Sequence, residues 1–184
     1  MLKRLFDICF SLVALFFFCP VLLLISIIVK LDGGPIVFKQ KRVGLNGKVF
    51  FIYKFRSMIV DADKVGGYST HRGDPRITPV GKFLRKTSLD ELPQFINVLF
   101  GDMSIVGPRP NVPQQQSEYT TEQWEIRNSV LPGITGLAQA KARSVDSWEK
   151  RWELDYEYVQ KLSFSYDLKI IILTIKQLLF KGSY

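Results

Sequence analysis

The sequence predicts an α+β domain, mainly helical, carried on an N-terminal membrane helix. Three observations lead there. Residues 8–29 form a run of 22 without a charge, and a straight helix of that length spans about 33 Å, enough to cross a hydrocarbon core. Residues 35–40 and 49–55 are short runs rich in Val, Ile, Phe and Tyr, with Asn46-Gly47 between them; Asn-Gly between two such runs signals a β-hairpin. Beyond the hairpin the apolar spacing turns helical, with residues 92–100 ended by Gly101, and Trp148, Trp152, Tyr156 and Val159 on one stripe of residues 147–162. With 184 residues, one domain with a real core is expected rather than two. The division expected is an anchoring helix over residues 1–34 and a folded domain over residues 35–184.

Charge separates membrane from nucleic-acid readings. Of the formal +8, residues 1–60 carry +7, with nine Lys or Arg against Asp7 and Asp32. A basic segment around a hydrophobic run suits an anionic bilayer face. A nucleic-acid protein would show a basic stripe on a polar face with interleaved aromatics, so no nucleic-acid partner is expected. Cys9, Cys19 and the single His71 build neither a disulfide framework nor a zinc site.

The apolar run is too long for a cleaved leader and is not followed by an Ala-x-Ala-like site. Lys3 and Arg4 flank one end; Lys30, Lys39, Lys41 and Arg42 flank the other. The positive-inside tendency holds both flanks on the cytoplasmic side. Pro20, in the middle, deletes a backbone hydrogen bond and crowds the carbonyl four residues earlier. The residues by themselves lean towards a helix that enters and returns, and leave a kinked spanning helix open.

Further along, residues 59–78 are polar and punctuated by Gly66-Gly67, Gly73 and Pro75, and read as a mobile loop. Residues 81–86 begin a helix. Gly107, Pro108 and Pro110, then Pro132, Gly133 and Gly136, mark two rigid loops. Residues 168–180 are apolar but interrupted by Lys169 and Lys176 and followed by Lys181, a pattern that suits the membrane interface or the core better than a span.

The densest polar cluster is Arg85-Lys86-Thr87-Ser88-Leu89-Asp90-Glu91-Leu92-Pro93. Its bland reading is a helix start: Ser88-x-x-Glu91 has the form of a capping box, and Asp90 as N-cap would put Pro93 at a tolerated third position. The chemical reading uses the same place. A helix N-terminus can hold phosphate, a carboxylate there can attack phosphorus, and its neighbour can hold a divalent metal that offsets substrate charge. Lys54 and Arg56 end a strand, and Arg109 is restrained between Pro108 and Pro110, as a phosphate clamp requires. No Gly-x-Ser-x-Gly, P-loop or Gly-x-Gly-x-x-Gly occurs, which excludes the hydrolase, nucleotide-triphosphatase and Rossmann readings.

These residues resemble the bacterial sugar transferases, the monotopic phosphoglycosyl transferases that begin glycan assembly on polyprenyl phosphate. The likeness covers nearly the whole chain. It includes Lys3 to Asp7, the Pro-containing hydrophobic helix, Gln40-Lys41-Arg42-Val43-Gly44 and Tyr53-Lys54-Phe55-Arg56-Ser57-Met58. It continues through Ser88 to Gln94, Asn97-Val98-Leu99, Gly101 to Pro110, Pro132 to Gly136, and Leu154-Asp155-x-x-Tyr158-Val159 before Asp167-Leu168-Lys169. The resemblance implies a re-entrant helix on the cytoplasmic face of the bacterial inner membrane. It implies Asp90 as nucleophile, displacing UMP from a UDP-sugar to form a covalent phosphosugar that polyprenyl phosphate then attacks. Glu91 is expected to share magnesium with Asp90, and Arg109, Arg85, Lys54 and Arg143 to lie near the substrate. The chain resembles the small catalytic-core form, and a homo-oligomer is compatible with it.

Two departures stand out. Family members often have Ser before the helix-breaking proline; here Cys19 precedes Pro20, and a thiol is the weaker hydrogen-bond partner. After Gly136 the common Gln-Val-Asn-Gly-Arg is replaced by Gln139-Ala140-Lys141-Ala142-Arg143, which leaves the sugar undecided. Two alternatives to the transferase are a membrane-docked scaffold without enzymatic activity and a polyprenyl phosphatase using the same aspartyl chemistry.

Overall fold

The run of uncharged residues forms the body of helix α1 (Leu2–Leu31) in the computed structural model, which describes residues 1–67, 70–71, 73–141 and 147–181. The backbone stays helical on both sides of Pro20, so any turn at Cys19-Pro20 is a bend within one element and not a loop. Burial along α1 is uneven. Asp7, Ser11 and Ala14 are buried near one end and Ile25 and Val29 near the other, whereas residues 16–20 are all exposed. Five successive residues cover more than a full turn, so every face of the helix around the proline is uncovered, and every one of those faces is apolar.

Both ends of α1 rest on the same domain. Arg4 donates from Nη1 to the Val98 carbonyl at 2.7 Å and from Nη2 to the Leu99 carbonyl at 3.1 Å, satisfying two of the carbonyls that the C-terminus of α4 (Gln94–Phe100) leaves without intrahelical partners. Lys3 donates to the Val106 carbonyl and pairs with Asp167 at 2.6 Å, and Asp7 accepts from the Ile105 amide at 3.0 Å. At the other end Arg56 donates to the Val29 carbonyl at 2.8 Å and to the Pro35 carbonyl at 2.9 Å.

The hairpin follows. β1 (Val37–Val43) pairs antiparallel with β2 (Val49–Phe55), from Val37 opposite Phe55 to Val43 opposite Val49. β2 matches expectation. β1 continues past Gln40 through Lys41 and Arg42, because pairing against Phe50 and Phe51 outweighs their charge. Asn46 and Gly47 turn the chain at φ 53° and 77°, the left-handed region in which these two residue types are the least strained.

The two punctuated loops differ from expectation. Within them β3 (Ser104–Val106) and β4 (Gly133–Thr135) form a short parallel pair. A Cβ on Gly133 would stand 2.1 Å from the Gly107 amide nitrogen, and one on Gly107 2.2 Å from the Leu131 carbonyl, so glycine alone permits this approach. The polar segment 59–78 also departs from a plain loop. It holds α2 (Ala62–Gly66) and a buried Asp74, which pairs with Arg76 at 2.6 Å, while Arg76 also donates to the Ala62 and Gly67 carbonyls, each at 2.9 Å.

α3 (Pro79–Thr87) starts two residues earlier than read from sequence, with Thr78 capping the Gly81 amide. α5 (Thr121–Arg127) and α6 (Leu137–Lys141) were not anticipated. α7 (Trp148–Gln160) follows expectation, and α8 (Phe164–Lys181) starts four residues early. The main core joins Phe50 and Ile52 of β2, Val98 of α4, Ile105 and Val106 of β3, Leu137, Leu154, Tyr158 and Ile170. A second cluster packs Ile25 and Val29 of α1 against Phe55 and Leu84. Leu168, Ile172, Leu173, Ile175, Leu178 and Leu179 of α8 stay exposed.

Asn97 ties α4 to β2. Fully buried, it accepts from the Tyr53 amide at 3.0 Å and donates to the Phe51 carbonyl at 2.7 Å. Asn97→Ala strands both backbone groups and is expected to cost about 2 kcal/mol, read as a lower midpoint in chemical unfolding of the detergent-solubilised protein. An unchanged midpoint would show that the tie contributes nothing.

Candidate active site

The segment between α3 and α4 is a turn built to free its carboxylates. Ser88 adopts φ 57°, its amide closes the end of α3 on the Arg85 carbonyl, and Leu89–Glu91 makes one 3-10 turn. α4 is preceded by Pro93 with no side-chain cap. Neither helix-start reading therefore holds: Ser88 and Asp90 make no cap bond, because Ser88 is spent on the left-handed turn and Pro93 has no amide hydrogen for a cap to accept. Asp90 also sits one turn before α4 and not at its N-terminus, so the positive charge around it comes from side chains.

Those side chains arrive from three places. Lys54, next to last in β2, meets Glu91 Oε1 with Nζ at 2.7 Å. Arg109, after β3, meets the same oxygen with Nη2 at 2.9 Å. Arg85, in the last turn of α3, donates from Nε to Ser57 Oγ at 2.8 Å. Asp90 is only 7% exposed and accepts no hydrogen bond among the described residues. The structure thus brings together Asp90, Glu91, Lys54, Arg85 and Arg109. Arg143 lies outside the described residues. Cys19 and Pro20 belong to the exposed middle of α1.

The environment separates the two carboxyls. Burial pushes Asp90 above the usual carboxylate range, and the Glu91 charge adds to this against Lys54, Arg85 and Arg109. Burial acts on Glu91 too, but Lys54 and Arg109 together outweigh it and hold Glu91 well below that range. Lys54 is lowered by its own burial, with Glu91 opposing. Glu91 is therefore the fixed charge and Asp90 the labile, uncompensated one, the asymmetry expected where two neighbouring acids have different tasks.

Sequence reasoning missed several supports. Arg127 donates from Nη2 to the Arg109 carbonyl at 2.6 Å and is held by Asp155 at 2.9 Å, both residues buried. Asp155 carried a signal, since it lies on the face of α7 that buries Leu154 and Tyr158; Arg127 carried none. Ser57 positions Arg85, and its carbonyl lies 1.9 Å from where a Cβ on Gly81 would stand, so the start of α3 is pressed onto it. Arg42 approaches the site through the Pro110 carbonyl at 2.9 Å.

Among the described residues no cluster of three or more His, Cys, Asp or Glu occurs. A magnesium ion does not require one, since it takes one or two carboxylates and fills its shell with water and substrate phosphate. Asp90, with no competing hydrogen bond among the described residues, and Glu91, which commits only Oε1 to Lys54 and Arg109, fit such an ion.

Because folding raises the Asp90 pKa, the stability its proton confers is fully present below the unfolded value, near pH 4, and is lost as pH rises through the folded value. At neutral pH the ionised group opposes the fold. Asp90→Asn is expected to raise the Tm at neutral pH, with a gain that shrinks as pH falls towards 4; an unchanged or lower Tm at neutral pH would contradict this environment.

The family model for bacterial sugar transferases matches residues 1–181. The chain is 46% identical to the UDP-glucose:undecaprenyl-phosphate glucose-1-phosphate transferase of Escherichia coli (strain K12), over 99% of its own length and 40% of that protein's. It is 47% identical to the sugar transferase EpsL of Bacillus subtilis (strain 168), over 97% of its length and 87% of the relative's. A UDP-N-acetylgalactosamine-undecaprenyl-phosphate N-acetylgalactosaminephosphotransferase of Aeromonas hydrophila is 39% identical over 97% of this chain and 44% of its own. The chain spans about two fifths of the length of the Escherichia coli relative and most of the Bacillus subtilis one. From its first residue to the end of α8, the chain belongs to the bacterial sugar transferase family.

Proposed function

We propose that the protein transfers a sugar 1-phosphate from a UDP-sugar to undecaprenyl phosphate, or a similar polyprenyl phosphate, with Asp90 as nucleophile. The observation that carries this reading is the state of Asp90: buried, without a hydrogen bond among the described residues, and within the electrostatic reach of Lys54, Arg85 and Arg109. Asp90 Oδ attacks the sugar-bearing phosphorus, the phosphoanhydride bond breaks, and UMP leaves with the bonding pair. A phosphate oxygen of the lipid then attacks the same phosphorus and releases the carboxylate, giving the lipid diphosphosugar. Lys54, Arg85 and Arg109 offset the charge of an anion attacking an anion, and most of the catalysis in phosphoryl transfer comes from such positioning and neutralisation. Magnesium held by Asp90 and Glu91 would supply further neutralisation of the diphosphate. Donor and acceptor classes follow the names of the relatives, whose sugars include glucose and N-acetylgalactosamine.

The membrane arrangement belongs to the same proposal. With both ends of α1 held on one domain and residues 16–20 exposed on every face, the helix dips into the bilayer from the cytoplasmic face and returns. The exposed apolar side of α8 lies along the same surface.

Two measurements test the reading. UMP release by protein in lipid nanodiscs, with magnesium, a panel of UDP-sugars and undecaprenyl phosphate, is expected with at least one donor and is expected to fall at least about 10³-fold in Asp90→Asn. Retained turnover in that variant would remove Asp90 as nucleophile, and product passing to water with no need of acceptor lipid would favour the phosphatase. Single cysteines at Leu2 and Leu31, in protein lacking Cys9 and Cys19, should both react with an impermeant reagent from the cytoplasmic side only. Labelling from opposite sides would establish a spanning helix.

A further inference from the structure

Arg42 is a cation whose charge the fold leaves unmatched. Its Nη1 donates to the Pro110 carbonyl at 2.9 Å and its Nη2 to Gln40 Oε1 at 2.6 Å. Both acceptors are neutral, and among the described residues no carboxylate pairs with it. Its Nε is buried without a partner. Burial lowers the Arg42 pKa to about 10, and the nearby positive charge of Arg109 adds to this while Glu91 opposes. A buried donor left unmade carries its full desolvation cost, larger on a charged group, so a folded protein rarely retains one without a use.

A second unmade donor lies on the same seam. The Val43 amide, next to Arg42, donates to the Asn111 carbonyl at 2.9 Å, which fixes Asn111 beside the end of β1. Asn111 is 6% exposed and its Nδ2 is also buried without a partner. Two N–H donors without a partner, one of them on a cation, thus lie on the seam that joins the end of β1 to Pro110 and Asn111.

The position of the pair narrows the ligand. Lys54 and Arg109 meet at Glu91, the residue after Asp90, and Arg42 holds the carbonyl of Pro110, the residue after Arg109, so Arg42 joins the cluster on its Arg109 side. Arg85 lies at the α1 end, since its neighbour Leu84 packs on Ile25 and Val29. Arg42 lies five residues along β1 from Val37, about 17 Å from where the strand starts near α1. A phosphate carried by a lipid arrives at the α1 end. A phosphate that enters and leaves with a soluble nucleotide needs the opposite end.

We propose that Arg42 and Asn111 form the subsite for the leaving phosphate, the one that remains on the nucleoside monophosphate when the donor's phosphoanhydride bond breaks. The assignment rests on the transferase reading above and deepens it. Arg42 Nε and Asn111 Nδ2 hold the non-reacting phosphate of the donor while Asp90 faces the reacting one. As the bond breaks, the additional negative charge on the departing phosphate is met by donors already in place, with no reorganisation.

The test is equilibrium binding of UMP to the full chain in lipid nanodiscs with magnesium, beside the KM for undecaprenyl phosphate in turnover. Arg42→Met is expected to weaken UMP binding about 10- to 100-fold and to leave the KM for the lipid unchanged. Arg42→Lys should recover part of the loss, because it restores a charge but not the fork of donors. Asn111→Ala, which removes a donor that no described residue uses, should weaken UMP binding without lowering the Tm, and with Arg42→Lys it decides the matter if Arg42→Met does not fold. Unchanged UMP affinity in Asn111→Ala and in either Arg42 variant would overturn the subsite. So would a raised KM for the lipid with UMP affinity intact, which would give the anion site to the acceptor. Wild-type protein that binds no UMP would instead remove the transferase reading on which the subsite depends.

Discussion

Glu91 Oε1 receives Lys54 from β2 and Arg109 from the loop after β3, and this shared oxygen is where the hairpin, the α3–α4 turn and the proline-bounded loop are held together. Adjacent buried acids repel each other and each loses hydration. The fold resolves this by giving both cations to one acid. Glu91 is held as an anion, and Asp90 is left buried beside it with no contact ion pair among the described residues, under only the longer-range pull of Lys54, Arg85 and Arg109. A buried carboxyl with a raised pKa is thus a by-product of how its neighbour is satisfied, and the site holds its strain electrostatically, with one positive-φ residue, Ser88, at its edge.

The supports behind the cations follow the same economy. Arg109 is exposed at its tip, yet its backbone is gripped by the buried Arg127–Asp155 pair and its flanking prolines. Arg85 is steadied by Ser57, whose own backbone is pressed by the first turn of α3. Side chains that meet highly charged substrates gain most from such preorganisation, because the loss of rotamer freedom has already been met in folding. The aromatic group of Tyr119, Trp124, Trp148 and Trp152 packs behind Arg127 and backs this side of the site.

α1 is integrated with the rest of the fold and is not an appended tether. Arg4 caps α4, Lys3 reaches Val106 and Asp167, and Arg56 caps the other end of α1. Asp90, Glu91 and the cations around them therefore keep a fixed height relative to the apolar middle of the helix. For the proposed transfer from a water-soluble donor to a lipid acceptor, that fixed geometry matters as much as the proposed nucleophile.

Much of this was legible in the chain because the signals are local. Residue type and spacing determined the apolar helix, the hairpin with its Asn-Gly turn, the stripe of α7 and the cluster around Asp90 and Glu91, and resemblance added the family. Tertiary structure decided the rest. β3 and β4 are three residues each and pair across a long gap, so no run of residues announces them. Asp74 and Arg76 turned a polar stretch into a buried ion pair that a local reading sees only as loop. The capping ambiguity at Ser88 and Asp90 could not be settled from spacing, since it depended on one φ angle. Which acid would be compensated, and which cation would be left with an unmade donor, depended on the partners that folding brings from β1, β2 and the loop after β3. Sequence determined which charges the protein carries; only their three-dimensional arrangement decided which of them cancel.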